Sequence, residues 1–304
     1  MGISRRHFGA GLLVLGGLAV TRPAFAQSAA HSITTSAGTY DVPDVPERVV
    51  VIDFRLDLEP ALALGLPVIG YGVQEEIPEW IPAPAGMTFV GGPPSRETVL
   101  GLDPDLIVCT DIPDSEYWPI NLMAEIAPVI PVDYELNWQA NLARMGDWLG
   151  RKAEADAFLA DYQQKLDAVK SSRSAALGRK VAAVWFEAES NEIQVQLGEG
   201  TTNVTLAGQV LADLGGTTVD PAKLGEYGVI SMEKAGEVLA DVEAFIVDTD
   251  AGDAVAALEA HPVWQRLPAV VAGKVRKSAG TFYGGGYSAK RFVGEWDALL
   301  GLLG

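Results

Sequence analysis

The sequence predicts an α/β protein of two lobes, each built on a mostly parallel central sheet, with one long α-helix connecting them. Three observations predict it. Short apolar runs alternate with helical patterns on both sides of the chain's middle, as parallel sheets covered by helices require. Between about Gln139 and Leu177 that alternation gives way to a long amphipathic stretch. A weak internal repeat then places two Ser-x-Glu segments, Ser95-Arg96-Glu97 and Ser231-Met232-Glu233, 136 residues apart, each ahead of a helical stretch and an apolar run.

The N-terminus reads as an export signal. Arg5 and Arg6 precede an apolar run from Phe8 to Val20, and Ala24-Phe25-Ala26 offers the small-x-small pattern of a cleavage site. Ser4-Arg5-Arg6-His7-Phe8 has the twin-arginine pattern. The run is shorter than the roughly 20 residues a spanning helix needs, so the expectation is cleavage of residues 1–26, a mature start at Gln27 and a soluble protein in a bacterial periplasm. No cysteine stands at the cleavage point to carry a lipid.

In the first lobe, 27–138, Val49-Val50-Val51-Ile52 is strand-like, Leu58 to Leu64 reads as helix, and Val68-Ile69-Gly70-Tyr71 as strand. Leu106-Ile107-Val108-Cys109 and Val129-Ile130-Pro131-Val132 continue the pattern. In the connecting segment, 139–177, Phe158, Leu159, Tyr162, Leu166 and Val169 share one face, and Gly146 and Gly150 are candidate breaks. A helix from Lys152 to Ser172 would extend about 30 Å, long enough to link two lobes. In the second lobe, 178–304, the alternation resumes with Val181 to Phe186, a helix near Val204 to Leu214, Ala244 to Val247 and then Val270-Val271-Ala272-Gly273. An amphipathic segment from Ala289 to Leu303 closes the chain.

Composition narrows the function. The 304 residues carry a net charge of −18, which argues against a nucleic-acid partner. One cysteine, Cys109, and three histidines exclude an internal disulfide and any Cys-rich or His-rich metal site. The loops after the apolar runs are nevertheless aromatic and basic. They supply Arg55, Tyr71, Trp118, Trp185, Tyr227, Tyr283 and Tyr287 as ligand-binding candidates, because ligands of open α/β sheets sit beyond the carboxyl ends of strands. Each also has a structural reading: Trp185 fits a core, and Tyr283 and Tyr287 flank a flexible glycine turn.

Catalytic signatures are incomplete, and no catalytic residue is nominated. Gly286-Tyr287-Ser288-Ala289-Lys290 begins as a nucleophile elbow but has Lys where the second Gly belongs, leaving a secreted hydrolase a remote alternative. Neither a phosphate loop nor a dinucleotide fingerprint is present.

The order and spacing of several segments resemble the periplasmic substrate-binding proteins of ABC importers that carry iron–siderophore complexes, relatives of those for cobalamin and haem. The segments are Pro46-Glu47-Arg48-Val49-Val50-Val51, Leu62 to Gly70, Gly92-Pro93-Pro94-Ser95-Arg96-Glu97 running into Leu102 to Val108, Ile126-Ala127-Pro128-Val129, and His261-Pro262-Val263-Trp264 ahead of Leu267 to Val270. The resemblance implies a ligand cleft between the lobes, a small opening motion, monomeric behaviour and docking on a membrane permease through Glu97 and Glu233. As N-capped first-turn residues those glutamates also suit the helix dipole, whichever role they have. The implied ligand is a ferric siderophore, hydroxamate or carboxylate type favoured, whose iron arrives saturated, so neither cofactor nor protein metal ligand is expected. Arg forks suit anionic oxygens and aromatic faces suit the organic shell. Haem or cobalamin is the alternative, with Tyr71, Tyr227, Tyr283 and Tyr287 as axial candidates.

Overall fold

A computed structural model describes residues 29–198 and 205–304; the export signal expected over residues 1–26 lies outside the described residues. The chain opens with a hairpin of β1 (Ala30–Thr35) and β2 (Gly38–Pro43). There follow β3 (Val49–Val51), α1 (Leu58–Ala63), β4 (Val68–Tyr71), β5 (Thr88–Phe89), α2 (Arg96–Gly101), β6 (Leu106–Asp111), α3 (Ile120–Met123) and β7 (Val129–Asp133). Strands β3 to β7 form one wholly parallel sheet, in the order β5-β4-β3-β6-β7.

Three helices lead to the second sheet: α4 (Trp138–Trp148), α5 (Lys152–Ser172) and α6 (Ser174–Leu177). Of the two glycines, Gly150 makes the break, with φ at 64° in the region glycine enters without penalty. Gly146 stays inside α4, where a Cβ would stand 2.8 Å from that of Ala155; it lets α4 and α5 approach closely instead of ending a helix. Helix α5 has 21 residues, about 30 Å, and buries Ala155, Tyr162, Leu166 and Val169.

The second sheet follows with β8 (Val181–Glu187), β9 (Glu192–Val195), α7 (Leu206–Asp213), β10 (Val229–Ser231), α8 (Met232–Val238), β11 (Ala244–Asp248), α9 (Asp253–Ala260), α10 (Pro268–Val271), β12 (Val275–Ser278) and α11 (Gly286–Leu300). Its order is β10-β9-β8-β11-β12. The pairs β8–β11 and β11–β12 are parallel, while β9 runs antiparallel to both neighbours. Two antiparallel steps make β10 parallel to β8. The N-termini of α2 and α8, each following a strand, therefore open at the carboxyl ends of their sheets.

The run Val270 to Gly273, placed by the sequence among the alternating runs, is not a strand. Pro268 presets the first turn of α10, Gly273 leaves it at φ 68°, and the strand is Val275–Ser278.

Period-two alternation along the buried strands sorts their side chains onto two faces. Val50, Ile52, Ile107 and Cys109 pack outward in one cluster, and Ala182, Val184, Phe245 and Val247 outward in another. The inward residues of both sheets, Val49, Val51 and Val108 with Val181, Ala183 and Ile246, belong to a single continuous cluster. It runs through Tyr162 and Leu166 of α5, Val210 of α7 and Phe292 and Trp296 of α11. The lobes share one core.

Candidate ligand-binding cleft

In the first sheet the strand order reverses between β3 and β6, and ligands gather at such a switch point. The loop after β3 carries Arg55 and the loop after β6 carries Trp118. Asp53, fully buried at the end of β3, ties them together. Its Oδ2 accepts the Arg55 guanidinium at 3.0 Å and the Trp118 indole N–H at 3.1 Å, and its Oδ1 accepts the Arg55 backbone N–H at 2.6 Å. Behind it the Asp53 N–H donates to Asp57 Oδ2 at 2.8 Å, and Thr110 Oγ1 donates to Asp57 Oδ1 at 2.7 Å. Burial, then the Asp53 charge, holds the Asp57 carboxyl well above the usual carboxylate range.

Arg55 looks across to the second lobe. Its guanidinium lies 5.2 Å from the Tyr283 ring centroid, a cation–π distance. Tyr283 meets Tyr134, which follows β7, with hydroxyls 3.3 Å apart. Burial first, and then that hydrogen bond, pushes the Tyr134 hydroxyl up. Phe282 continues the wall onto Trp185, at 5.2 Å between ring centroids and nearly perpendicular. Arg55, Trp118, Tyr283 and Trp185 thus belong to one aromatic band that crosses between the lobes.

Three other candidates stand apart from that band. Tyr71 is buried, its hydroxyl donating to the Glu75 carbonyl at 2.6 Å and its ring 5.6 Å from Phe89. Tyr287 packs edge-on against Phe158 of the connecting helix, 4.9 Å between centroids. Tyr227 is exposed beside the β9–β10 edge at φ 57°, and its carbonyl accepts from Gln194. Glu97 and Glu233 are exposed in the first turns of α2 and α8. Ser95 caps α2 by accepting the Thr98 N–H at 3.2 Å, whereas Ser231 makes no side-chain cap.

Behind the Tyr134–Tyr283 contact lies a cavity of about 680 Å³, bounded by the loop after β7, the start of α4, α7 and the turn Phe282–Gly286. Such a volume is ordinary for a small-molecule site. Asp213 lies on its wall and accepts from Gln139 Nε2 at 2.8 Å and Tyr162 Oη at 2.7 Å. Of the side chains on this wall, Tyr283 is the one candidate legible in the sequence; Tyr134, Phe282, Trp138, Gln139, Gln209 and Asp213 are not among the candidates. Tyr134 was within reach of the loop-after-strand rule, since β7 ends at Asp133.

Among the described residues, no group of three or more His, Cys, Asp and Glu side chains is arranged to hold a metal ion. Ser288, the serine of the incomplete elbow, is buried; its Oγ donates to Glu59 at 2.6 Å and accepts the Trp80 indole N–H at 2.9 Å. His261 instead accepts the Val263 N–H and lies near Phe186. Among the described residues, no helix is long and apolar enough to cross a membrane.

The family model for periplasmic binding proteins matches residues 90–278. Among curated proteins, the iron(3+)-hydroxamate-binding protein YxeB of Bacillus subtilis is 26% identical over 246 residues, 77% of this chain and 73% of its own. The achromobactin-binding periplasmic protein of Dickeya dadantii is 27% identical over 286 residues, 88% and 85% of the two chains. Among solved structures, a periplasmic binding protein component of a Fep/Fec-like ferrichrome ABC transporter from Bacillus subtilis superposes with a TM-score of 0.73 at 21% identity, covering 88% of this chain and 99% of that one. Staphylococcus aureus SirA complexed with staphyloferrin B superposes at 0.67 and 22% identity, covering 89% and 98%. These likenesses show the two-lobed α/β fold.

Proposed function

Because the chain belongs to the periplasmic binding protein family, we propose that it is the periplasmic component of an ABC importer and captures a ferric siderophore between its lobes. The observation that carries the reading is the band of Arg55, Trp118, Tyr134, Tyr283, Phe282 and Trp185 at the carboxyl ends of strands from both sheets. Flat rings cover the organic shell of a chelate and lose little entropy in doing so. A guanidinium offers forked donors to chelating oxygens. The relatives' names, an iron-hydroxamate binder and an achromobactin binder, support the same class.

In this reading the iron arrives saturated by its chelator, so the protein supplies neither metal ligand nor cofactor and catalyses no reaction. The chain works as a monomer of lobe 27–138, connector 139–177 and lobe 178–304, after removal of residues 1–26 in export. Arg55, Trp118, Trp185 and Tyr283 contact the ligand, with Tyr134 and Phe282 added to them. Glu97 and Glu233 dock on the permease; support for this is their exposure in first turns at the same ends of the two sheets as the cleft.

The test is tryptophan fluorescence of residues 27–304 titrated with ferric hydroxamate, citrate and catecholate chelates, their iron-free forms, haem and cobalamin. Submicromolar quenching by a ferric chelate and none by its iron-free form is the expected result. Silence across the chelates with a response to haem or cobalamin would transfer the protein to that branch.

A further inference from the structure

Asp53 leaves the aromatic band with an arginine whose charge is already balanced. Its carboxylate is fully buried, and N–H donors from two loops converge on it. Oδ1 accepts the Arg55 backbone N–H at 2.6 Å, the Leu56 N–H at 3.2 Å and Arg55 Nε at 3.3 Å. Oδ2 accepts Arg55 Nη2 at 3.0 Å and Trp118 Nε1 at 3.1 Å. The backbone of Asp53 is tied down as well, its N–H donating to Asp57 Oδ2 at 2.8 Å and its carbonyl accepting the Leu58 N–H at 2.9 Å. A carboxylate held by so many donors keeps one orientation, so Arg55 after β3 and Trp118 after β6 are set by it as a unit.

The pairing spends the Nε–Nη2 edge of the guanidinium and leaves three of its five N–H donors for a ligand. Hydrogen-bonding capacity survives while the charge is cancelled. Other basic side chains around the band are also paired: Arg144 reaches Asp133 Oδ2 at 3.4 Å and Lys290 reaches Asp161 Oδ2 at 2.7 Å. Among the described residues, neither Lys nor Arg lines the cavity behind Tyr283. Resting on the siderophore reading, we propose that Asp53 is a positioning residue that also sets the charge preference of the cleft: it aims Arg55 and Trp118 at the chelate and cancels the arginine's charge, so the band hydrogen-bonds an uncharged ferric chelate and has no net attraction for a polyanion.

The experiment titrates residues 27–304 by fluorescence with two ferric probes, an uncharged tris-hydroxamate and a trianionic tris-catecholate, and reads the ratio of their affinities. The parent should favour the uncharged probe. Asp53→Asn leaves Arg55 unbalanced beside the ligand, and the ratio should move about tenfold toward the trianion. Asp53→Glu keeps the charge and should keep the parent's ratio, even where its longer side chain weakens both probes. Arg55→Gln leaves Asp53 unbalanced and should move the ratio the other way, an arm that stands even if Asp53→Asn does not fold. Loss of the Trp118 share of the near-ultraviolet dichroism in Asp53→Asn, that share being identified with Trp118→Phe, reports the positioning. A purely structural role weakens both probes alike, so an unchanged ratio in either folded charge variant, or a parent that prefers the trianion, would overturn the proposal and leave the siderophore reading in place. Silence of the parent and every variant with both ferric probes would remove both.

Discussion

Glu59, in the helix after the first strand of the open sheet, caps the last helix of the chain through Ser288, 229 residues away. Its Oε2 accepts the Ser288 N–H at 2.8 Å and its Oε1 the Ser288 hydroxyl at 2.6 Å. Helix α11 opens on Gly285 and has no side-chain cap of its own, so a carboxylate from the other lobe meets its unpaired N–H groups and dipole. Burial raises the Glu59 pKa, and the donors of α11 oppose that rise.

Ser288→Ala removes one donor from Glu59 and the acceptor of Trp80 Nε1, leaving buried polar atoms unmet. A loss of about 2 kcal/mol in urea unfolding is expected. A variant as stable as the parent would show that water replaces the hydroxyl and that this seam contributes little.

Asp248 gives the stability a dependence on pH. Its carboxyl, pushed up from 3.8 to about 6 by burial, accepts from the Thr281 and Asp250 backbone N–H groups. Between those two pH values the folded protein holds a proton that the unfolded chain has released, so stability falls as pH rises through the window and levels off above it. The wild type should lose up to about 3 kcal/mol across that window relative to Asp248→Asn. Guanidinium midpoints at pH 4, 5, 6 and 7 check this; parallel curves for the two proteins contradict it.

Charge reversal at both proposed docking residues, Glu97→Arg with Glu233→Arg, should leave ligand affinity unchanged, since both side chains are exposed outside the cavity lining. Uptake in cells carrying the cognate permease should fall to background. Undiminished uptake would remove docking from these residues.

Gly208→Ala tests how closely α7 seats against the end of β9. A Cβ there would stand 2.2 Å from the Leu197 carbonyl carbon and 2.5 Å from the Gly198 nitrogen, backbone atoms that have little room to move. About 1–3 kcal/mol of stability should be lost, read from denaturant melts. Ligand affinity should weaken too, because Gln209 and Asp213 ride on the same helix into the cavity wall.

Strands β3, β4, β6, β8 and β11 were legible because interior strands of a parallel sheet are apolar on both faces and read as continuous runs, and the edge strand β7 reads the same way because Val129–Val132 are buried. The hairpin β1–β2 was not: Ile33 and Val42 are its buried hydrophobic residues, and no Asn-Gly or Asp-Gly marks its turn. Short, half-polar β9 and β10 were missed for the same reason. In the site, the loop-after-strand rule found Arg55, Trp118 and Tyr283 but could not foresee rotation. Tyr71 and Tyr287 satisfy it equally and turn inward, onto Phe89 and Phe158. Tyr134 and Tyr283 meet across 149 residues of sequence, a pairing that local pattern does not encode.

The core shared by both sheets bears on how an importer distinguishes loaded from empty carriers. Pulling the lobes apart would open a continuous seam of Val49, Leu166, Val181 and Trp296, at roughly 25 cal/mol for each Å² of apolar surface exposed. On the proposed docking, the spacing between Glu97 and Glu233 is nearly fixed, and a permease gripping both would read almost the same ruler in either state. The message that cargo is aboard would then be carried by the proposed chelate's own exposed face or by a change in residence time on the permease.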